Sequence, residues 1–197
     1  MTPERAAKIQ RVLERRQPDF TVVFENVWDP HNISAVLRTA DSVGIFEVFV
    51  IYTQNRSSTK LGRKSSSGAL KWLKVHYFYS VEECFAEVRK RYDVIYATHL
   101  AADSKSLYEL DLTQRVALLF GNEHDGVSTK ALELSDGNFI IPQVGMIQSL
   151  NISVACAVSL YEGMRQRLQK DFYAQQRLDQ ATFQQTQTAW WERDLKS

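Results

Sequence analysis

The sequence predicts an α/β fold with a mostly parallel sheet flanked by helices. Short segments rich in Val, Ile, Phe and Tyr alternate with helical patterns along most of the chain. The apolar character of these segments is nearly continuous, which is typical of strands in a sheet covered on both faces. The chain has 197 residues, 44% of them hydrophobic, which is enough for one domain with a sizeable core.

The predicted strands and helices follow one another as in repeated βαβ units. The strands are predicted at Phe20–Glu25, Val48–Tyr52, Val94–Thr98, Val116–Phe120 and Asn138–Ile141. The helices are predicted at Ile33–Val43, Val81–Arg91, Thr129–Ser135 and Ser149–Gln169. Around this core domain, residues 20–170, we expect an N-terminal basic arm, residues 1–19, and a C-terminal tail, residues 171–197.

The N-terminal arm has the pattern of a short helix over residues 4–16. Thr2 can cap this helix, and Pro3 suits its first position. Basic side chains recur every three or four residues on one side of it, at Arg5, Lys8, Arg11 and Arg15. This side is either a solvated helix face or a phosphate-binding surface. The second is slightly favoured because basic residues outnumber acidic ones there.

Two further segments fall outside the βαβ pattern. Residues 53–71 are rich in Ser, Gly, Lys and Arg and show little periodicity, which indicates a functional basic loop or a plain flexible connection. The tail after Lys170 is rich in Gln but contains Trp190 and Trp191. Because Trp at a polar terminus usually packs against something, we expect a C-terminal helix that docks on the domain or on a second subunit.

The overall charge does not point to a partner. Lys and Arg number 24 against 23 Asp and Glu, so the formal net charge is only +1, and a nucleic-acid surface would need local charge clusters. The two cysteines, Cys84 and Cys156, fit a reducing cytoplasm and exclude a cysteine-rich metal site. We expect no signal peptide and no membrane span, because no apolar run is long enough.

Several common functional motifs are absent. The glycines do not form the G-x-G-x-x-G fingerprint of dinucleotide-binding folds, and there is no Walker A or G-x-S-x-G sequence. The four histidines lack zinc-site spacing. The function must therefore lie in other segments, and three of them stand out.

The first candidate motif begins the helix predicted after Pro30. Asn32 or Ser34 can cap its first turn, and Gly44 suits its end. Arg38 follows Asn32 by six residues, about 120° around an ideal helix, so the two side chains can converge only at the edge of a ligand. By itself this pattern favours an amphipathic helix with a surface arginine.

The second motif follows the strand predicted at Val116–Phe120. Gly121 and Gly126 let a ligand approach the backbone closely, and a helix predicted from near Ser128 offers free N–H groups. Glu123 lies between the glycines and can act as a general base, orient a ligand or form an ion pair. The alternative is an ordinary strand–turn–helix connection with a solvated Glu123.

The third motif runs from a strand that ends near Pro142, through a turn at Gly145, into a long helix predicted from Ser149. Ser149, Asn151 and Ser153 place three small polar side chains in the first helical turn. A helix cap needs only one of them. The excess therefore indicates tight backbone packing or a ligand at this turn.

Together, the three motifs closely resemble those of the SpoU/TrmH branch of the SPOUT methyltransferases. They occur in that family's order as N-x-x-x-x-x-R-T, F-G-x-E-x-x-G and I-P-x-x-G-x-x-Q-S-L-N-x-S-V. The resemblance covers roughly residues 4–170. Within the family, the segments at residues 15–19 and 161–167 look more like the enzymes that methylate guanosine 18 of transfer RNA than like the ribosomal-RNA enzymes.

The resemblance implies a SPOUT fold, in which the C-terminal part of the domain forms a deep trefoil knot, and a homodimer with the site near the subunit interface. It also implies that S-adenosylmethionine is bound as the methyl donor among three loops, without a metal, and that its adenine is held mainly by backbone groups. The implied cofactor-binding residues are Thr98, Gly121, Ile141, Met146, Ser149, Leu150 and Asn151.

The implied reaction is 2′-O-methylation of a tRNA ribose, at guanosine 18 in the D-loop. The residues implied for catalysis are Arg38, Asn32, Glu123, Ser149 and Asn151. The residues expected to bind RNA are Arg5, Lys8, Arg11, Arg15, Arg165 and Arg167. In this family the arginine that matches Arg38 is a proposed general base, although free arginine stays protonated in water. A cation that binds the neighbouring phosphate and stabilises alkoxide charge is the more conservative role.

Two alternatives stay open at this point. One is a ribosomal-RNA 2′-O-methyltransferase of the same family, although many of those carry a separate N-terminal RNA-binding domain where we expect only a short basic arm. The other is an RNA-binding protein of this fold that does not catalyse, against which the intact matches at Arg38 and Asn151 argue.

Overall fold

The structure is a computed structural model that describes residues 2–53, 68–147 and 149–195. These residues form a seven-stranded sheet, parallel throughout, with the strand order β3-β2-β1-β6-β4-β7-β5. The strands are β1 (Phe20–Glu25), β2 (Glu47–Ile51), β3 (Lys74–Phe78), β4 (Val94–Thr98), β5 (Lys105–Ser106), β6 (Val116–Phe120) and β7 (Gly137–Ile140). The helices are α1 (Pro3–Glu14), α2 (Pro30–Ser42), α3 (Val81–Val88), α4 (Thr129–Leu134), α5 (Ile152–Gln169) and α6 (Gln180–Leu195).

The predicted α/β class is confirmed, and so is the expectation that helices cover both faces of the sheet. On one face, Val22 and Phe24 of β1 pack with Leu37 of α2 and Leu160 of α5. On the other face, Phe49 of β2 belongs to a cluster that includes residues of α3 and α4. All residues of β1, β2 and β6 are buried, which explains why these strands have no polar alternation in the sequence.

The sequence did not predict β3 and β5, for two different reasons. β3 lies at the edge of the sheet and is partly exposed, so it lacks the continuous apolar pattern that marks the inner strands. β5 has two residues that pair with β7, which is too short for any periodicity. Most of the basic loop predicted at residues 53–71 lies outside the described residues, and Ala69–Lys71 form a short 3-10 turn.

All strands of a parallel sheet end at the same edge, so the loops after β1, β4, β6 and β7 meet there. This edge therefore brings together Asn26, Thr98, Gly121 and Ile141, each of which directly follows or ends a strand. The three candidate motifs of the sequence all contribute to the same edge. The knot that the resemblance implies stays a prediction.

Two helix starts differ from the sequence prediction. Asn32 and Ser34 do not cap α2. Asp29 does, because its carboxylate accepts a hydrogen bond from the His31 N–H at 2.8 Å and Pro30 takes the first helical position. The long helix α5 begins at Ile152 rather than at Ser149, so the polar turn before it is a loop rather than a helical turn.

The C-terminal helix α6 packs against α1 within the same chain, so the predicted C-terminal helix and its docking on the domain are confirmed. Their shared apolar cluster contains Ile9, Leu13, Leu178, Phe183 and Trp190. The Arg5 guanidinium joins the two helices further, because it pairs with Asp194 at 2.9 Å and lies 5.3 Å above the Trp72 ring.

Arg167 has a structural role, and the prediction that it contacts RNA is wrong. Its side chain is fully buried. Its guanidinium donates to Asp19 Oδ1 at 2.6 Å and to the Leu112 carbonyl at 2.9 Å, and lies 4.9 Å above the Phe20 ring. Asp19 also pairs with Arg177 of the tail. A buried arginine survives because it is paired and fully hydrogen-bonded, and loss of one partner of such a pair typically costs about 3–5 kcal/mol.

Candidate functional site

Three of the residues predicted for catalysis form one hydrogen-bonded network at the carboxyl edge of the sheet. The Asn32 side-chain amide donates to the Glu123 carboxylate, and the Asn151 amide donates to Asn32 Oδ1 at 3.1 Å. The residues come from α2, the loop after β6 and the start of α5, and Asn32 and Asn151 are 119 positions apart in the chain. The structure therefore confirms that the three motifs meet.

A tight turn after β6 places Glu123. Asn122 Oδ1 accepts hydrogen bonds from the backbone N–H groups of His124 and Asp125, at 2.8 and 2.7 Å. Gly126 has a φ of +69°, and a Cβ on Gly121 would lie 2.0 Å from the Gly126 carbonyl. Only glycine fits position 121 for this reason. The turn leaves Glu123 exposed at its tip, facing Asn32.

Asn151 has two roles in the structure. Its Oδ1 caps α5, where it accepts from the Ser153 N–H at 2.9 Å and from the Ser153 hydroxyl at 2.6 Å. Its Nδ2 donates to Asn32. The cap fixes the rotamer of Asn151, so the amide that faces Asn32 is held in place before any ligand binds.

Arg38 lies on α2 about 9 Å of helix rise beyond Asn32 and is exposed. It makes no hydrogen bond or ion pair with the residues that the structure describes. The structure therefore does not join Arg38 to the network directly. An exposed guanidinium whose donors are all free is instead available to an anionic ligand.

A cleft of about 500 Å³ lies beside the network, at the ends of β4 and β7, within the size range of small-ligand sites. Four residues predicted to bind the cofactor line it: Thr98, Ile141, Ser149 and Leu150. Asn151 follows Leu150 and so connects the cleft to the network. The Thr98 hydroxyl donates to the Leu119 carbonyl at 3.1 Å, so its side chain is already engaged.

Gly121 and Met146 do not line the cleft. Gly121 is packed against Gly126 in the β6–α4 turn, and the Met146 side chain is almost fully exposed. Their predicted contact with a cofactor stays a prediction.

Three further lining residues, Gln143, Gly145 and Ile147, lie in the loop from Ile141 to Leu150 that was predicted to hold the cofactor. The lining residues that were not predicted individually and lie outside that loop are His99, Leu100, Phe139, Ile140 and Ala155. His99 and Leu100 directly follow a strand that was predicted, so their position at the carboxyl edge of the sheet could have been predicted from the sequence. The position of Ala155 could not, because its contact with the cleft depends on how α5 packs against the sheet.

Three cations of the N-terminal arm that were predicted to bind RNA are accessible. Lys8, Arg11 and Arg15 are exposed and make no ion pair with described residues. Arg5 is partly engaged by Asp194, as described above. Arg15 lines a cavity of about 530 Å³ together with Leu168, which places the arm beside the C-terminal half of α5.

Arg165, on the same half of α5, is 56% exposed and pairs with Glu162 at 2.7 Å. The hydrogen bonds from Arg165 lower the pKa of the Glu162 carboxyl. Arg165 therefore keeps its predicted place at the surface, with its guanidinium oriented by an acidic partner. It contrasts with Arg167, two residues later, which is buried.

The described residues contain no helix that is both long and apolar enough to cross a membrane. In the same part of the chain, no group of three or more His, Cys, Asp or Glu side chains is placed to hold a metal ion.

The model of the SpoU rRNA Methylase family matches residues 19–161, which include all three motifs of the site. The chain belongs to the SpoU methylase family. This membership confirms the family resemblance of the three motifs.

Similar proteins within the SpoU methylase family match almost the whole chain. A curated protein of Thermus thermophilus, named tRNA (guanosine(18)-2′-O)-methyltransferase, is 43% identical over 96% of both chains. The crystal structure of the A. aeolicus TrmH/SpoU tRNA modifying enzyme matches with a TM-score of 0.88 and 34% identity, over 97% of this chain and 96% of that one.

A third similar protein is the SpoU methyltransferase AviRb from Streptomyces viridochromogenes, solved in complex with the cofactor AdoMet. It matches with a TM-score of 0.69 and 30% identity, over 78% of this chain and 62% of that one. The similarity to this structure covers part of each chain rather than the whole of either.

The two roles of Asn151 can be separated by the substitution Asn151→Asp. Aspartate is an equally good helix cap with the same shape, but its carboxylate has no N–H to donate to Asn32 Oδ1. We expect the thermal midpoint to stay close to the wild type, and methyl transfer to RNA to fall at least about tenfold. Wild-type turnover in this variant would show that the Asn32–Asn151 bond has no part in the reaction.

Proposed function

We propose that this chain transfers a methyl group from S-adenosylmethionine to the 2′-hydroxyl of a tRNA ribose, at guanosine 18 in the D-loop. The observation that carries the proposal is the Asn32–Glu123–Asn151 network beside a ligand-sized cleft. The match over 96% of the length of a relative with this name supports the substrate. Because the relatives matched over their whole length are tRNA enzymes, the ribosomal-RNA alternative is less favoured.

The cleft fits S-adenosylmethionine in size and chemistry. Its walls combine apolar side chains such as Phe139 and Ile141 with the loop backbone around Gly145, where a Cβ would meet no atom within 4 Å. Thr98, Ser149 and Leu150 would hold the ligand together with these groups. When bound, S-adenosylmethionine supplies an electrophilic methyl group on a positively charged sulfur.

Arg38 acts as a cation in this proposal. It binds the phosphate next to the target nucleotide and stabilises the negative charge that the ribose oxygen gains as its proton leaves. That charge is neutralised when the O–C bond to the methyl group forms and the C–S bond breaks. The hydroxyl proton passes to solvent, since the site is open to water. This role requires only that the guanidinium is exposed and has no hydrogen-bond or ion-pair partner among the described residues, as the structure shows.

The network positions the ribose in this proposal. Asn32 uses one amide hydrogen toward Glu123 and its oxygen toward Asn151, so its orientation is fixed from both sides. Its second amide hydrogen is then available to a ribose oxygen. Placement of the hydroxyl in line with the methyl group supplies a large part of the rate in reactions of this kind.

A homodimer is part of the proposal. The loop before α5 and the outer side of α5 expose a set of large apolar side chains, which is unusual for a monomer surface. They are Val144, Met146, Ile147, Leu150 and Val154. A second copy on this surface would cover them and would lie next to the cleft.

The tRNA is bound in this proposal by the arm and by α5, through Lys8, Arg11, Arg15 and Arg165. We further propose that the enzyme works in the cytoplasm, where tRNA is modified, and that it needs no metal ion. The chemistry asked of the site is positioning and charge stabilisation, for which the protein cations suffice.

The central role of Arg38 is tested by Arg38→Ala. We expect methyl transfer to fall by far more than tenfold, because the variant loses the stabilisation of the developing charge, while the affinity for S-adenosylmethionine stays within about twofold. Mass spectrometry of nucleosides from incubated tRNA measures 2′-O-methylguanosine. Arg38→Lys is the matched control, and we expect it to stay impaired because an ammonium lacks the guanidinium fork. Turnover above a tenth of the wild type in Arg38→Ala would contradict this role.

The arm is tested by the double substitution Lys8→Ala and Arg11→Ala. The KM for tRNA should rise, and the salt dependence of tRNA binding should flatten by about one unit per lost phosphate contact. The control is Arg89→Ala with Lys130→Ala, which removes two exposed charges near α3 and α4. Equal tRNA affinity and salt slope in the arm variant and the wild type would mean that the arm is a solvated helix face.

A further inference from the structure

Four aromatic residues gather where the first three strands of the sheet end, in a set that the reaction above does not use. Trp28 follows β1, Tyr52 follows β2, and Tyr77 and Tyr79 lie at the end of β3 and just after it. We call these four residues the aromatic patch. Residues 54–67, which come soon after Tyr52 in the chain, lie outside the described residues.

The members of the patch are in contact or close to one another. The Trp28 and Tyr52 rings are stacked, with centroids 4.9 Å apart and an interplanar angle of 24°. Tyr52 is buried, and burial together with the nearby phenol groups of Tyr77 and Tyr79 raises its pKa to about 12. The backbone places Tyr52 beside Tyr79, because Ile51 pairs with Phe78 and the Tyr52 N–H donates to the Phe78 carbonyl at 2.9 Å. Tyr52 forms the floor of the patch, while Tyr77 and Tyr79 are 38% and 42% exposed.

The patch is on the same face of the sheet as the catalytic network. Val75 of β3 packs in the core cluster that α2 and α5 share. Side chains alternate along a strand, so Tyr77 shares this face. Its partner on β2, Val50, belongs to the same cluster, as does Tyr52 beside Tyr79. Trp28 lies in the loop between β1 and α2. It directly precedes Asp29, the cap of α2, and is four positions before Asn32.

We infer that Tyr77 and Tyr79, with Trp28 beside them, form a stacking surface for an unpaired nucleobase of the RNA substrate close to the methylated ribose. The inference rests on the proposed function, because only a nucleic-acid substrate at the neighbouring network places a base there. Methylation of a loop ribose requires a nucleotide that is accessible to the enzyme, and proteins hold the unstacked bases of RNA loops on Tyr and Trp rings. The patch thereby contributes to substrate choice by favouring an unpaired base over a helical stem.

The first test compares three variants of the full-length protein. The double substitution Tyr77→Ala with Tyr79→Ala should lower kcat/KM for tRNA by about 5- to 150-fold, the range for loss of one base–aromatic stack. The double substitution to Phe keeps both rings and should stay within about twofold of the wild type. Tyr108→Ala is the control, because Tyr108 is also an exposed tyrosine, at 58%, and lies near the opposite edge of the sheet. It should have no effect.

The second test identifies the base. Transfer RNAs that lack one base at a single D-loop position are methylated by the wild type and by the double alanine variant. For the nucleotide that stacks on the patch, removal of the base should lower the wild-type rate and abolish the difference between the two proteins. Affinity for S-adenosylmethionine and the oligomeric state should be unchanged in the alanine variant, whereas a dimer that dissociates would show that a second copy occupies the patch and would overturn the inference.

The outcome separates this inference from the proposed function. If the wild type forms 2′-O-methylguanosine and the double alanine variant has the same kcat/KM, the inference fails and the proposed function stands. If the wild type does not methylate tRNA, the proposed function fails. Filter binding of tRNA then decides the patch, and equal affinity of the wild type and the alanine variant would overturn it.

Discussion

The candidate site depends on the hydrogen bonds that join Asn32 to Glu123 and Asn151. Each bond lies near the surface and contributes only about 1 kcal/mol to stability, so the network does not hold the fold together. The fold holds the network instead: the Asp29 cap starts α2, the turn at Gly121 presents Glu123, and the cap of α5 orients Asn151. Three distant parts of the chain thereby place polar groups within hydrogen-bonding distance beside one cleft.

Some cations of this chain are buried and others are exposed. The buried ones stabilise the fold, and the exposed ones are available to bind a ligand. Arg16 is fully buried, donates to the Ile45 carbonyl at 2.7 Å and pairs with Asp41 at 2.5 Å, and lies 5.1 Å above the Trp190 ring. With Arg167 it connects the terminal helices to the core. Lys8, Arg11, Arg15 and Arg38 remain exposed and free of ion pairs with described residues. The net charge of the chain is only +1, but these exposed cations are still available to bind the phosphates of RNA.

The sequence predicted the inner strands well because β1, β4 and β6 are bounded by clear breaks and are apolar throughout or nearly so. It also placed Asn32, Glu123 and Asn151 in one site, through the family motifs rather than through spacing. It could not distinguish Arg165 from Arg167, because their burial depends on where Asp19 and Phe20 pack against α5. The edge strand β3 was missed for a related reason, since partial exposure removes the apolar pattern. Tertiary contacts of this kind leave no local signal in the sequence.

The most direct test of this account is a double-mutant cycle between Asn32 and Asn151, with methyl transfer to tRNA as the readout. We measure kcat/KM for Asn32→Ala, Asn151→Ala and the double variant. If the two residues act as one unit, the double variant should be little worse than the poorer single variant, with a coupling of about 0.5–3 kcal/mol. Strictly additive losses would contradict the account, because they would mean that the two side chains contribute independently of the bond that joins them.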